Sequence, residues 1–169
     1  MNAQIDITGV YLNTGRVILR PWCDSDLDDL YAYARVDGVG QMAGWKPHSS
    51  LEESKMILKM FIEGKKEVTH EKSLFVDGYW VHLSLVYRGK VIGSLGIEKY
   101  CESHYPELAD KRGREIGYVL SKDFWGMGLM PEAVRAVIDG LFQSVRLDFI
   151  IVGHFDWNNR SRRVAEKCG

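Results

Sequence analysis

Apolar and polar residues alternate over Arg16-Val17-Ile18-Leu19-Arg20 and stop at Pro21, the pattern of a first strand. Asp24 or Ser25 can then cap a helix with Leu27, Leu30, Tyr31 and Ala34 on one face. A glycine-rich loop runs from Asp37 to His48. Ser50-Leu51-Glu52-Glu53 has the form of a capping box and opens a helix with Met56, Ile57, Met60 and Phe61 inward. Tyr79 to Tyr87 is rich in β-branched and aromatic residues, and Arg88-Gly89-Lys90 turns it into Val91 to Ile97, so the pair predicts a hairpin. Tyr100 to Arg114 is a polar loop, and Glu115 to Leu120 reads as a fourth strand. Trp125-Gly126-Met127-Gly128 breaks that strand, and Pro131 suits the first residue of a helix burying Val134, Val137, Ile138 and Leu141. Leu147 to Val152 is nearly continuous in apolar character, as a strand buried on both faces would be. Asn158 or Asn159 caps a last helix that reaches Cys168. The order β-α-α-β-β-β-α-β-α predicts a single α/β domain over 1–169, built on a mixed sheet.

Composition narrows the classes. The 169 residues can bury a real core, and 46% hydrophobic with 27% charged residues is the balance of a globular domain. A formal net charge of -1 offers no basic excess for nucleic acid, and no basic amphipathic stretch suggests a membrane surface. Cys23, Cys101 and Cys168 form no Cys-x-x-Cys pair and the five histidines are scattered, so neither a metal site nor a disulfide framework is indicated. No positive charge and no apolar core precede Arg16, as a secretory leader would need, and Phe149 to Val152 is far too short to span a bilayer. The cytoplasm is the expected compartment.

The chemistry concentrates in Gly117 to Glu132: a strand, a Gly-x-Gly turn, a helix. An anion bound there needs converging backbone N–H groups with the positive end of a helix behind them, and side chains at Gly126 or Gly128 would obstruct its approach. A Walker pattern is excluded by the missing Lys-Ser/Thr, and a dinucleotide fingerprint by Pro131.

Phe124-Trp125-Gly126-Met127-Gly128-Leu129-Met130-Pro131-Glu132-Ala133 resembles the acetyl-CoA pyrophosphate loop of the GNAT superfamily, and Asn158 to Gly169 resembles its second motif. Arg16-Val17-Ile18-Leu19-Arg20-Pro21-Trp22 is similar to the start of one branch, the ribosomal-protein alanine and serine N-acetyltransferases. The resemblance implies a mostly antiparallel sheet whose fourth and fifth strands splay apart around the pantetheine arm of acetyl-CoA. It implies coenzyme contacts at Val119, Leu120 and Trp125, pyrophosphate amides from Gly126, Met127, Gly128, Leu129 and Met130, and contacts to the coenzyme arm from Asn158 and Ser161. Acetyl-CoA is then a co-substrate, with no metal.

Direct transfer to an amine requires a proton acceptor, a polarised carbonyl and a leaving thiolate. An α-amine with a pKa near ~8 needs only a modest base. Glu115, sharing a strand face with Gly117 and Val119, is the first candidate and Glu98 the second; His154 and Asp156 are weaker ones. A backbone amide near Val119 can stabilise the oxyanion. Ala165 stands where many superfamily members carry a general-acid tyrosine, which leaves Ser161 or solvent for that role. The loop with Trp45 and His48 aligns with the region lining the acceptor site, where Trp45 is either a packing or a specificity residue. Arg160, Arg162, Arg163 and Lys167 form a basic run that is either a solvated face or a reach toward the coenzyme phosphates.

Three functions compete: acetyl transfer to a protein N-terminus, the same chemistry on a small amine (polyamine, amino acid or antibiotic), and a non-catalytic acyl-CoA-binding module. Family members continue past Gly169 with an aromatic residue and two strands. The domain is therefore expected to lack those strands, with a shortened chain or a second copy in a homo-oligomer as the two explanations.

Overall fold

In the computed structural model of the chain, residues 1–64 and 81–169 are described. Among them six strands form one sheet in sequence order: β1 (Leu12–Asn13), β2 (Val17–Pro21), β3 (Val81–Tyr87), β4 (Lys90–Glu98), β5 (Gly113–Leu120) and β6 (Phe149–Ile151). All neighbours are antiparallel except β5 and β6, which are parallel. Four α-helices flank the sheet: α1 (Leu27–Ala34), α2 (Leu51–Glu63), α3 (Leu129–Gly140) and α4 (Asn159–Cys168). Period-two alternation gives the sheet two apolar faces. Leu19, Leu83, Leu95 and Ile116 pack on one side with Leu129, Ala133, Val134 and Val137 of α3. On the other side Val86 and Val91 meet Leu30 and Tyr33 of α1 and Leu58 and Phe61 of α2, with Trp22 fully buried among them.

The elements follow the sequence pattern with local departures, except β1, a strand the pattern did not predict. The α1 face is Leu30, Tyr33 and Ala34; Tyr31 instead turns outward beneath the Arg35 guanidinium, 5.3 Å from the ring centre. On α2 the buried set is Ser54, Leu58 and Phe61, and Met56 is solvent-exposed. Ser54 draws that face inward because its hydroxyl meets His48 Nδ1 at 2.7 Å, a contact that hydrophobic spacing does not register. Ser50 Oγ accepts from Glu53 N as a capping box requires, but the Glu53 carboxylate reaches back to the Ser49 amide and hydroxyl at 2.6 and 2.8 Å. The hairpin turn is Arg88-Gly89 alone, both with positive φ (50° and 79°), while Lys90 already pairs with Tyr87. Tyr79 and Trp80 lie outside the described residues.

Two departures bear on the site. Gly128, at φ 73°, caps α3, which makes Pro131 its third residue; a missing N–H is harmless there because first-turn donors have no intrahelical partner. The expected strand buried on both faces is shorter and half-exposed. Phe149–Ile151 is the sheet edge, flanked only by β5 among the described residues.

Candidate active site

The β5–β6 ladder has three rungs, Gly113↔Phe149, Arg114↔Ile150 and Glu115↔Ile151. Beyond them β5 continues to Leu120 on β4 alone among the described residues, while the chain after Ile151 turns away toward α4. The two strands therefore splay, and residues 116–120 present backbone donors and acceptors on the side β6 has left. A cleft of about 330 Å³ fills this opening. It is lined by Tyr118, Val119 and Leu120 of β5, by Trp125 to Pro131 except Met127, and by Asn158, Arg160, Ser161 and Arg163 at the start of α4.

The far wall is the N-terminus of α3. Gly126 and Gly128 both have left-handed φ, 81° and 73°, which L side chains rarely adopt. With the helix dipole behind them, the loop amides suit an anion. The Trp125 indole donates to Leu120 O at 2.8 Å, tying the loop to the end of β5, and Arg160 stacks on its face at 4.6 Å. Arg163 and Lys167 follow Arg160 along the cleft side of α4, whereas Arg162 points outward and pairs with Glu166 at 2.8 Å. The basic run thus divides: three cations face the cleft and one is solvated.

Asn158 is buried, and both its amide oxygen and its amide nitrogen are bonded. Its Oδ1 accepts from Ser161 N at 3.1 Å, capping α4, and its amide donates to Met42 O at 2.9 Å. The Ser161 hydroxyl donates to Tyr118 Oη (3.1 Å), which in turn donates to the Ser161 carbonyl (2.9 Å). Burial pushes the Tyr118 phenol above its ordinary pKa. Sequence pattern overlooked Tyr118; its strand position, one residue from Gly117 and Val119 on the opposite face, was the available signal.

Glu98 and Glu115 are register partners across β4 and β5 at the inner end of the split. A β-carbon on Gly117 would lie 3.3 Å from Glu98 Oε1, and one on Gly153 would lie 3.0 Å from Glu115 Oε1, so glycines make room for both carboxylates. Burial raises the Glu98 pKa, with repulsion from Glu115 adding to it; burial raises that of Glu115. Behind them His82, stacked on Phe61 at 4.4 Å, has its Nε2 3.8 Å from Glu98 Oε1, and burial holds its pKa down at about 4.

The structure does not bring Trp45 or His48 into the cleft lining. Trp45 covers Gly40, where an added β-carbon would sit 2.2 Å from its ring, and the His48 amide donates to Ala34 O. The two rings lie 5.2 Å apart beside the turn that carries Met42. Met127 is exposed outside the lining. Among the described residues no cluster of His, Cys, Asp and Glu could hold a metal ion, and no helix is long and apolar enough to cross a membrane.

The model of the acetyltransferase (GNAT) domain family matches residues 16–169. The chain is 24% identical over 160 residues to the uncharacterized N-acetyltransferase YoaA of Bacillus subtilis, spanning 94% of this chain and 81% of YoaA. A GNAT-family acetyltransferase from Bacillus anthracis superposes with a TM-score of 0.73 at 18% identity, covering 95% of this chain and 82% of the other. The ribosomal-protein-S5-alanine acetyltransferase of Vibrio fischeri gives 0.65 at 22% identity, with the same coverage of 95% and 82%.

Proposed function

The chain belongs to the GNAT acetyltransferase family, and from that premise we propose that it transfers the acetyl group of acetyl-CoA to a primary amine, the α-amine of a protein N-terminus. The observation that carries this reading is the convergence of the β5 edge that β6 has left, a left-handed Gly126–Gly128 loop and three cations of α4 on one cleft. An anionic, elongated co-substrate fits that set: phosphates against loop amides and Arg160, Arg163 and Lys167, a peptide-like arm against residues 117–120. Similarity to a ribosomal-protein acetyltransferase supports the N-terminal acceptor.

Bound acetyl-CoA supplies the activated acetyl group; the residues supply position and proton handling. Glu115, with Glu98 beside it, takes the proton from the incoming ammonium. Partial burial suits a carboxylate to this work, because raising its pKa strengthens it as a proton acceptor. The backbone N–H near Val119 faces the charge that develops on the acetyl oxygen. Ser161, held by Tyr118, donates a hydrogen bond to the departing thiolate, which takes its proton from solvent. Holding both substrates in one cleft contributes the remainder.

A coenzyme-release assay with ribosomal N-terminal peptides and a panel of polyamines, amino acids and aminoglycosides tests the proposal. Turnover is expected on peptides with a free α-amine and absent on their N-blocked counterparts. Turnover confined to the small amines would reassign the acceptor, and none with any amine, despite acetyl-CoA binding, would overturn transfer to an amine.

A further inference from the structure

Arg16 opens β2's approach, far in sequence from every residue with a proposed role in the cleft, yet its guanidinium is spent on the coenzyme loop. Its Nη1 donates to Met127 O at 3.1 Å, its Nη2 to Gly128 O at 3.3 Å, and its Nε to Glu132 Oε2 at 2.6 Å. Thr14 Oγ1 donates to the other Glu132 oxygen, so the β1–β2 turn and Arg16 together enclose that carboxylate. Burial opposes ionisation of Glu132, but the hydrogen bonds from Thr14 and Arg16 outweigh it and hold its pKa below the usual range.

Two physical consequences follow. A backbone carbonyl bound on one side of a turn directs the neighbouring amides toward the other, so a guanidinium on the carbonyls of Met127 and Gly128 leaves the loop N–H groups to the cleft. An ionised Glu132 one turn into α3 favours the helix dipole but repels an anion at the same helix end. Without a counter-charge the loop would present a negative residue to a pyrophosphate.

We propose that Arg16 is a positioning residue for coenzyme binding, turning the Gly126–Gly128 loop and cancelling the charge of Glu132 where the phosphates dock. This rests on the coenzyme site proposed above. Arg16 touches neither coenzyme nor acceptor in this scheme; it acts through the loop. Lysine in its place keeps the charge but cannot reach two carbonyls and a carboxylate in a planar fork.

Calorimetric titration of coenzyme A into the wild-type chain and into Gly128→Asp, Arg16→Ala, Arg16→Lys, Glu132→Gln and the Arg16→Ala/Glu132→Gln pair tests it. Arg16→Ala is expected to weaken binding about ten-fold, the scale of lost charge-assisted hydrogen bonds, with kcat at saturating acetyl-CoA little changed. Arg16→Lys should recover part of that loss. Adding Glu132→Gln to Arg16→Ala should also recover part of the loss, because the uncompensated charge is gone while the bonds to the loop carbonyls stay missing. Independent or compounded losses in the double variant would overturn the charge role, since a purely structural clasp has no reason to improve when its second half is removed. Unchanged affinity in Arg16→Ala, with Gly128→Asp defective, would sink the proposal and leave the coenzyme site standing. Unchanged affinity in Gly128→Asp would remove the coenzyme site itself.

Discussion

Glu98 and Glu115 show how burial and pairing act on single side chains. Each is pushed above the ordinary carboxylate range by burial, and Glu98 further by its neighbour. A base works ionised, so kcat/KM should rise with pH along an acid limb displaced upward from the usual ~4.3. Glu115→Gln is expected to lower kcat/KM on the order of a hundred-fold, the low end for a lost general base. The repulsion it removes should also lower the midpoint of whatever limb Glu98 retains. A pH–rate profile on both variants reads this, and a Glu98→Gln loss exceeding that of Glu115→Gln would reverse the assignment. His82 gives the opposite sign in stability. Its imidazole takes a proton near 6.5 in the unfolded chain but only near about 4 in the fold, because of burial. Its contribution is therefore complete above about 6.5 and lost as pH falls toward 4. Among the described residues it faces Phe61, which shares the stack, and Glu98, which an imidazolium would attract. Denaturant midpoints at pH 7 and pH 5 should differ less in His82→Phe than in the wild type.

At the scale of elements, α4 packs Val164 and Cys168 on the core and is held by polar contacts at its two ends. Asn158 caps its start while bonding Met42 O, and the Arg135 guanidinium donates to Lys167 O near its end. Arg160, Arg163 and Lys167 reach the cleft only if that helix keeps its angle. Asn158→Ala removes the cap and leaves a carbonyl without its donor, for an expected loss of about 2 kcal/mol in unfolding free energy. Coenzyme affinity should fall with it. Asn158→Asp should keep the cap but not the bond to Met42 O, separating the two roles by melting temperature and titration. The motif was legible because a cap and a Gly-x-Gly turn are local chemistry. The division of the basic run into cleft-facing Arg160 and Arg163 and a solvated Arg162 was not, since it depends on how α4 is rotated against β5.

For the whole molecule, the decisive feature is that β6 leaves β5 after three rungs. The carboxylates, the Gly126–Gly128 loop and α4 meet only around that opening. Trp45 acts at this scale too. It covers Gly40 in the turn that carries Met42 to the cleft rim, so Trp45→Ala should lower the melting temperature and raise KM for both substrates. A rise confined to the amine, with the melt unchanged, would make Trp45 a direct acceptor contact. His48, whose ring holds Ser54 and whose amide holds Ala34 O, should follow Trp45 in either outcome.

The sequence alone carried what depends on neighbours in the chain. Alternation marked most of the strands, apolar spacing the helices, and glycine the turns at Gly89, Gly126 and Gly128, where the structure has left-handed φ. These are short-range constraints of sterics and hydrogen bonding, so they are written in consecutive residues. Tertiary structure decided what depends on distance in the chain: which α2 residues face inward once Ser54 meets His48, and that Tyr118 and Ser161 hydroxyls pair. It also decided that Glu98 and Glu115 are opposite each other, and that Arg16 and Thr14 close on Glu132. Those pairings span from 6 to 118 positions. Only the register of the sheet and the rotation of each helix bring them together, because no local preference of either partner encodes the other.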